Sequence, residues 1–387
     1  MRIGIDARLW SESGIGRYTR NLILELSRID KKNEYVLFVL SIDEKEILNQ
    51  VKNDNFRIAI ADIHWHTLEE QLKFPAILSR ENLDLVHFPY FSVPIFYSKP
   101  YIVTIHDLIL HHFPTGLAST HSLPFYGIKL FGYKFVIAQA AKKAKKIIAV
   151  SNATKQEIVD HLGIGFGKIV VTYEGIEDSL NSKLPAKQDI FLRDKYKSYF
   201  LYVGNAYPHK NLEKLIETFA RIKNQASRLD LARRESKIKL ILVGREDYFY
   251  KRLKNSVQKM ELGDQIVFYG QASDSELRKL YKGAFALVSP SFMEGFGLPA
   301  LEAMANGCIV IASDIPAHRE ICGDAAIYFN PYDIEDMKEK LEACFNDLNH
   351  FSKNIDNGFE RSKLFSWEKM AKETLAVYES SSSASSE

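Results

Sequence analysis

Short apolar runs, rich in β-branched residues, alternate along this chain with stretches of helical periodicity. Most runs are continuously apolar, which is typical of strands covered on both faces of a parallel sheet. In the second half a helical pattern follows each of five runs. These runs end at Gly204, Gly244, Gly270, Pro290 and Ser313. The alternation predicts βαβ organisation, with ligands at the carboxyl ends of the strands.

The first half has the same pattern. Its runs begin at Arg2, Tyr35, Phe56, Leu83, Tyr101, Lys146 and Lys168. A chain of 387 residues is long enough for two domains. A polar segment at 177–197 reads as a linker. We therefore predict an α/β protein with two Rossmann-like domains, at 1–180 and 181–365, then a helix at 366–380 and a disordered tail at 381–387.

Composition narrows the class of function. The chain has 51 basic and 49 acidic residues, a net charge of +2, which argues against nucleic-acid binding. Its three cysteines, Cys308, Cys322 and Cys344, lack metal or redox spacing and fit a reducing, cytoplasmic setting. The opening MRIGIDARLW reads as a first strand, not a signal peptide. No apolar window approaches the roughly 18 residues of a spanning helix, so we expect any membrane contact to be peripheral.

The segment EGFGLPALEAMANG, from Glu294 to Gly307, is the most informative stretch. Pro299 suits the start of a helix, and the residues after it are good helix formers. The glycines just before it let the backbone approach a ligand, and amides at a helix N-terminus attract anions. The segment could therefore cradle a diphosphate, with Glu302 facing ribose hydroxyls and Glu294 facing a sugar. The alternative is a plain strand–helix turn with Glu302 near the helix dipole.

The same segment resembles the Glu-(any seven)-Glu signature of retaining glycosyltransferases with the GT-B fold, family four, also called group 1. The resemblance extends over nearly the whole chain. It includes GIGRY at Gly14, TIHD at Thr104, VSNATKQEI at Val150, VGNAYPHKNL at Val203, LVGRED at Leu242 and FSWEKMA at Phe365. It implies two domains facing across a cleft, the first binding the acceptor and the second the nucleotide sugar. It also implies that the C-terminal helix returns to the N-terminal domain.

The resemblance assigns roles to the residues of the signature. Glu294 would bond sugar hydroxyls and Glu302 the nucleotide ribose. The amides of Phe296, Gly297 and Leu298 would lie beside the sugar and the phosphates. These residues, with Lys210, are the core of the predicted donor site.

Lys210 stands six residues after Gly204, where the family has its diphosphate-binding lysine. A lysine there would neutralise the charge that builds on the leaving diphosphate. Many relatives also have an arginine where this chain has Asn205. Either Arg245 supplies the second cation, or phosphate binding depends more on backbone amides. Gly270, which ends a strand, is expected near the nucleobase.

Three residues of the first half complete the predicted site. Gly14 and Gly16 would let a loop close over the phosphates or the acceptor. His106 ends a strand, and the family's histidine at this place contacts the transferred sugar through its 6-hydroxyl and through the backbone carbonyl. We therefore predict His106, Lys210 and Glu294 as the catalytic set.

The sequence contains no Asp-x-Asp, the pair that holds Mg²⁺ or Mn²⁺ in the other common transferase architecture. We therefore predict metal-independent transfer with no cofactor. The resemblance implies retention of configuration, with Glu294 positioning the sugar. Our preferred donor is GDP-mannose, from general similarity to bacterial mannosyltransferases of polysaccharide and O-antigen assembly.

The acceptor is predicted to be a glycan or lipid-linked glycan. The stretch from Tyr126 to Val150 mixes aromatic residues with lysines, which is typical of a helix lying on an anionic membrane at the inner face of the cell. A helix packed on its own sheet with a solvated lysine face explains the pattern equally well.

Other functions stay open. A sugar-nucleotide epimerase of the same fold is one alternative, and a non-catalytic nucleotide-sugar-binding relative is another. A nicotinamide-dependent oxidoreductase is disfavoured, because no strand is followed by Gly-x-Gly-x-x-Gly.

Overall fold

A computed structural model describes residues 1–114, 123–176, 199–228 and 238–383. The predicted linker at 177–197 and the domain boundary at 180 lie outside these ranges. The chain divides into two compact units. The first contains the described residues up to Gly175 and those from Phe365 onward, and the second contains those from Ile176 to Leu364.

The first unit is built on a seven-stranded sheet in which each pair of neighbours is parallel. The strand order is β3-β2-β1-β4-β5-β6-β7. The strands are β1 Arg2–Asp6, β2 Glu34–Val39, β3 Phe56–Ile60, β4 Leu85–Phe88, β5 Tyr101–Ile105, β6 Lys146–Ala149 and β7 Ile169–Val171. The helices between them are α1 Gly14–Ile29, α2 Glu44–Gln50, α3 Leu68–Ser79, α4 Ile109–His112, α5 Leu123–Lys143 and α6 Asn152–Leu162.

A C-terminal helix, Trp367–Ser383, belongs to this first unit and packs against α1. Its buried face has helical spacing, with Met370, Thr374 and Tyr378 all fully buried. The Tyr378 hydroxyl lies 2.7 Å from His87 Nδ1 in β4. Burial of a large side chain such as Tyr378 stabilises the folded state by about 2 kcal/mol, which explains why the C-terminal helix packs on the first unit. It continues to Ser383, three residues beyond the predicted end at 380, and residues 384–387 lie outside the described ranges.

The second unit has a six-stranded parallel sheet in the order β10-β9-β8-β11-β12-β13. The strands are β8 Tyr199–Val203, β9 Lys239–Val243, β10 Ile266–Gly270, β11 Ala286–Ser289, β12 Ile309–Ser313 and β13 Ala326–Phe329. The first five correspond to the predicted runs, whereas β13 was not predicted. Its helices are Leu212–Arg228, Tyr248–Lys259, Asp274–Gly283, Leu298–Ala305, Pro316–Cys322, Ile334–Asn346 and Ser352–Ser362. The predicted α/β class with two Rossmann-like domains is confirmed.

In both sheets the strand order reverses once. In the first unit β1 lies between β2 and β4, and in the second β8 lies between β9 and β11. Loops leaving the two strands at such a reversal run to opposite faces of the sheet and leave a crevice where ligands bind. None of the helices in the described residues is long and apolar enough to cross a membrane.

Candidate donor-binding and catalytic site

An ion pair spans the crevice of the second sheet. Lys210 follows β8 and Glu294 follows β11, the two strands that flank the reversal. The Lys210 Nζ donates to both carboxylate oxygens of Glu294, at 2.7 and 2.8 Å. Their side chains are only 17% and 12% exposed. The structure thus brings two of the three predicted catalytic residues into direct contact.

The loops that hold this pair are fastened to each other. After β8 the chain makes a short 3₁₀ turn, Pro208–Lys210, and ends it at Asn211 with a left-handed φ of 60°. The Asn211 Nδ2 then donates to the carbonyls of Pro290 and Pro331, at 3.0 Å each. The Phe292 amide donates to the His209 carbonyl at 2.8 Å. These bonds position Lys210 opposite the loop after β11.

Glu294 is ionised in this environment. Burial alone would raise its pKa, but the positive charge of Lys210 outweighs burial and lowers the pKa to about 2. The Ser291 hydroxyl donates to Glu294 Oε1 at 2.6 Å. The carboxylate is therefore charged, oriented and held by two donors.

His318 supports this loop from the helix Pro316–Cys322, which follows the neighbouring strand β12. Its Nδ1 lies 3.0 Å from the Ser313 carbonyl, which can only accept, so Nδ1 carries the proton. Nε2 then accepts from the Ser289 hydroxyl at 3.0 Å. Burial lowers the pKa of His318, which agrees with a neutral ring. The Ser313 hydroxyl in turn donates to the Ser291 carbonyl at 2.5 Å, linking His318 to the residue that orients Glu294.

The helix Leu298–Ala305, called the site helix below, begins directly after this loop. Gly297 is its N-cap, with φ of 97°, a conformation that favours glycine. Pro299 lies in the first turn of the site helix, and that turn contains no acidic residue. The N-cap glycine has no side chain to accept a hydrogen bond from the N-terminal amides of the helix. Phe296 is buried and Leu298 is half-buried. The N-terminus of the site helix thus has the features of an anion-binding end.

Glu302 lies on the site helix and is 5% exposed. The Tyr281 hydroxyl donates to its Oε2 at 2.9 Å. Tyr281 is itself buried, which leaves the carboxylate a fixed acceptor. Glu302 is thus oriented separately from the Lys210–Glu294 pair.

The other predicted donor residues lie where the remaining strands end. Asn205 is half-buried after β8, and its carbonyl accepts from Tyr202 Oη at 2.5 Å. Arg245 follows β9 and is exposed. Gly270 ends β10 with φ of 87°, and its carbonyl accepts from the Gly244 amide at 3.0 Å. No ion pair of Arg245 is found in the described part of the chain.

The predicted residues of the first half belong to the first unit. His106 follows β5, with Nδ1 at 3.1 Å from Glu174 Oε1 and Nε2 at 2.9 Å from the Pro89 carbonyl. Because both partners can only accept, both ring nitrogens carry protons and the ring is an imidazolium. Burial lowers its pKa, but Glu174 and the Pro89 carbonyl outweigh burial, and the pKa is raised. The His106 and Tyr18 rings also pack perpendicular to each other, with centroids 4.9 Å apart.

The two glycines of the GIGRY segment differ in their surroundings. A Cβ on Gly16 would come within 2.6 Å of the carbonyls of Leu9 and Trp10. A Cβ on Gly14, which is exposed at the start of α1, would meet nothing within 4 Å. Close packing of α1 on the preceding loop therefore requires glycine at position 16, whereas a larger residue would fit at position 14.

Both halves of the chain match known family models. Residues 13–180 match the model described as Glycosyltransferase Family 4, and residues 185–361 match the model described as Glycosyl transferases group 1. The chain belongs to this glycosyltransferase family. The predicted family and the predicted enzyme class are confirmed.

Curated relatives of this glycosyltransferase align over most of its length. The O-antigen chain mannosyltransferase RfbU of Salmonella typhimurium is 28% identical over 76% of this chain and 74% of its own. The O-antigen chain mannosyltransferase B of Escherichia coli is 26% identical over 95% of this chain and 96% of its own. Among solved structures, HepE of Anabaena in complex with UDP-glucose has a TM-score of 0.74 and 17% identity, covering 98% of this chain and 100% of its own. At that identity the likeness to HepE concerns the fold.

Sequence reasoning missed several polar partners in this glycosyltransferase. Ser291 and His318 orient the loop of Glu294, and Glu174 pairs with His106. Ser291 and His318 each follow a predicted strand end, a position that could have identified them. Glu174 stands 68 residues from His106, and nothing in the sequence indicates their pairing.

Proposed function

We propose that this glycosyltransferase moves a hexose from a nucleotide sugar to a glycan or lipid-linked glycan, with retention of configuration, in the assembly of a cell-surface polysaccharide. The observation that carries the proposal is the part-buried Lys210–Glu294 pair, in which Glu294 lies on the loop that leads into the N-terminus of the site helix. A cation and helix amides suit the diphosphate of the donor, and a fixed carboxylate suits hydroxyls of the sugar.

In this proposal the leaving diphosphate lies at the start of the site helix. Amides of Phe296, Gly297 and Leu298 and the charge of Lys210 take up the negative charge that grows as the glycosidic bond breaks. Positive charge supplied in this way requires no metal ion. Glu294 acts by position, because Lys210 and Ser291 already bond its carboxylate. Glu302, oriented by Tyr281, accepts from the ribose hydroxyls.

The donor we favour is GDP-mannose. RfbU and the Escherichia coli relative are both named as O-antigen chain mannosyltransferases, which supports mannose as the sugar and a glycan as the acceptor. HepE was solved with UDP-glucose, which supports a nucleotide sugar as the donor class. The base and the sugar are therefore best tested together, with a panel of donors.

His106 is proposed to contact the transferred sugar. Its backbone carbonyl accepts from the Thr154 hydroxyl at 3.0 Å, and its ring is fixed by Glu174 and Pro89. The imidazolium supplies a positive charge close to that carbonyl. Both features give His106 a fixed orientation in the first unit.

We further propose that α5 touches an anionic membrane at its inner face. Ile128, Phe131 and Phe135 are 70%, 73% and 45% exposed, and their spacing of three and four residues sets them on one helix face. Lys129 and Lys134 are exposed on the same helix. Exposed apolar side chains flanked by lysines suit the headgroup region of an anionic bilayer.

The test of function mixes tag-free protein with GDP-mannose, UDP-glucose or other nucleotide sugars, with and without a lipid-linked glycan extract. We expect one donor to label the lipid-extractable fraction and to release its nucleoside diphosphate only when acceptor is present. Glu294→Ala should lose this labelling. An epimerase would instead change the sugar of the donor alone and leave the diphosphate attached. A protein that binds donor and releases nothing would be a non-catalytic relative.

Membrane contact is tested separately by co-sedimentation with vesicles. Wild-type protein should sediment with vesicles containing phosphatidylglycerol and not with pure phosphatidylcholine. Ile128→Ser combined with Phe131→Ser should reduce this binding at least tenfold, and Leu48→Ser, at another exposed apolar residue of the first unit, should not. Equal binding by both variants would contradict the role of α5.

A further inference from the structure

Three side chains with metal-ligating atoms lie together in the first unit, on elements with no proposed part in donor binding. His112 ends α4, and Glu157 and His161 lie on α6. His112 Nε2 is 2.5 Å and His161 Nε2 is 3.3 Å from the same oxygen, Glu157 Oε2. One ligand atom from each of the three residues lies within 4.8 Å of the others.

Local structure explains why these atoms converge. Glu157 and His161 are four residues apart on α6, so their side chains share one face of the helix. The His112 ring stands perpendicular to the His161 ring, with centroids 4.6 Å apart. The side chains of His112, Glu157 and His161 are 34%, 28% and 38% exposed. An ion could therefore reach the site from solvent.

We propose that His112, Glu157 and His161 bind one divalent transition-metal ion of the Zn²⁺ class, with a fourth position taken by water. Two imidazoles and one carboxylate form a donor set typical of Zn²⁺ and unlike the all-oxygen sets of Mg²⁺ and Ca²⁺. Tetrahedral bonds of about 2.0–2.1 Å place ligand atoms about 3.3 Å apart. The His161–Glu157 separation already has this value, and the exposed His112 ring has only to move back from Glu157.

The ion would join two segments that both reach His106. α4 begins three residues after His106, and Thr154 of α6 donates to the His106 carbonyl. Bound metal would therefore fix α4 to α6 and stabilise the surroundings of His106. Its role would be structural.

The test uses the tag-free protein after its metal has been removed with a chelator. One sample is titrated with Zn²⁺ in a calorimeter. A second sample is titrated with Co²⁺ while its visible spectrum is recorded, and Zn²⁺ is then added to it. We expect one equivalent of Zn²⁺, a rise in Tm, and the intense visible bands of four-coordinate Co²⁺ that Zn²⁺ bleaches. Mg²⁺ should give none of these. His112→Ala, His161→Ala and the isosteric Glu157→Gln should each weaken Zn²⁺ binding at least tenfold, and His64→Ala, at an exposed histidine of the same unit, should not.

Failure of the wild-type protein to take up a stoichiometric ion would overturn the proposal. Uptake of equal affinity in all three site variants would also overturn it, because the ion would then lie elsewhere. Near-UV circular dichroism of the metal-free variants shows whether each is folded. If an alanine variant is unfolded, the Zn²⁺ affinity of the isosteric Glu157→Gln variant tests the site instead. These readouts are independent of sugar transfer, so this proposal and the proposed function can fail separately.

Discussion

Lys210 Nζ lies 2.7 and 2.8 Å from the two carboxylate oxygens of Glu294, although the residues are 84 positions apart in the chain. The pair joins the loops after β8 and β11, where the order of the second sheet reverses. Both residues are part-buried, and the charge of Lys210 lowers the pKa of Glu294.

Breaking the pair from one side should be costly. Lys210→Met leaves the part-buried Glu294 carboxylate without its cation, and Glu294→Gln leaves the Lys210 ammonium without its anion. Each substitution should therefore lower the free energy of unfolding by about 3 kcal/mol. The double variant should lose clearly less than the sum, because neither charge remains. Urea unfolding of the four proteins measures this coupling.

A matched control is available for this cycle. Lys73 and Glu69 form an exposed pair at 2.7 Å on α3, with side chains 68% and 47% exposed. Lys73→Met should cost no more than about 0.5 kcal/mol, since a solvated pair contributes little. Strict additivity at Lys210 and Glu294 would mean that the two charges do not depend on each other.

Nucleotide binding should depend on Glu302 more than on the residue that orients it. Glu302→Ala removes the proposed ribose acceptor and should abolish the thermal shift given by the best nucleotide among GDP, UDP, ADP and dTDP. Tyr281→Phe removes one hydrogen bond to the carboxylate and should weaken binding by about tenfold, corresponding to about 1.4 kcal/mol. An unchanged shift in Glu302→Ala would exclude this residue from the ribose.

The two glycines of GIGRY should respond differently to alanine. Gly16→Ala places a methyl group 2.6 Å from two backbone carbonyls and should lower the free energy of unfolding by at least about 2 kcal/mol. Gly14→Ala meets open space and should leave stability within about 0.5 kcal/mol of wild type. Equal losses of stability in the two variants, measured by thermal unfolding, would show that the packing of α1 on the preceding loop does not require glycine at position 16.

The His106–Glu174 pair predicts a pH dependence. Because the folded pKa of His106 is raised, its contribution to stability is fully present below its unfolded pKa of about 6.5 and is lost as pH rises through the folded pKa. Glu174→Gln should lower the pKa of His106 and remove this contribution. The difference in unfolding free energy between wild type and variant should therefore be largest at low pH and shrink as pH rises.

Histidine ring NMR checks this directly. His106 should show both ring protons at about pH 6 in the wild type and should titrate lower in Glu174→Gln. His87 serves as the internal reference, because burial lowers its pKa to about 3 and its ring stays neutral over the same range. A neutral His106 ring in wild type at about pH 6 would contradict the assignment.

The fold was largely predictable because parallel strands covered on both faces leave continuous apolar runs. β13 was not predicted because its four residues, Ala326–Phe329, form a short edge strand. Only Ala326 and Phe329 of this strand are buried. The extent of the C-terminal helix was also underestimated. Serines after Tyr378 resemble a disordered tail, yet Ser381 is buried and its hydroxyl bonds the Val377 carbonyl. Tertiary packing outweighed local propensity there.

At the site, motif spacing predicted a set of candidate residues but not their contacts. The sequence predicted Lys210 and Glu294 separately, and only the strand order joins them. The sequence could not predict that His106 is an imidazolium. The protonated ring is stabilised by hydrogen bonds to Glu174 and to the Pro89 carbonyl, which are distant in sequence. Electrostatics of this kind depends on three-dimensional proximity, which single-sequence patterns do not encode.

The central claim is that the loop after β11 and the N-terminus of the site helix receive the donor diphosphate. Hydrogen-exchange mass spectrometry with saturating GDP, UDP, ADP or dTDP measures this at the peptide spanning residues 292–305. We expect at least one nucleotide to slow amide exchange there in the wild type and to have no such effect in Glu302→Ala. If a nucleotide binds and leaves exchange in that peptide unchanged, the diphosphate lies elsewhere and the account is wrong.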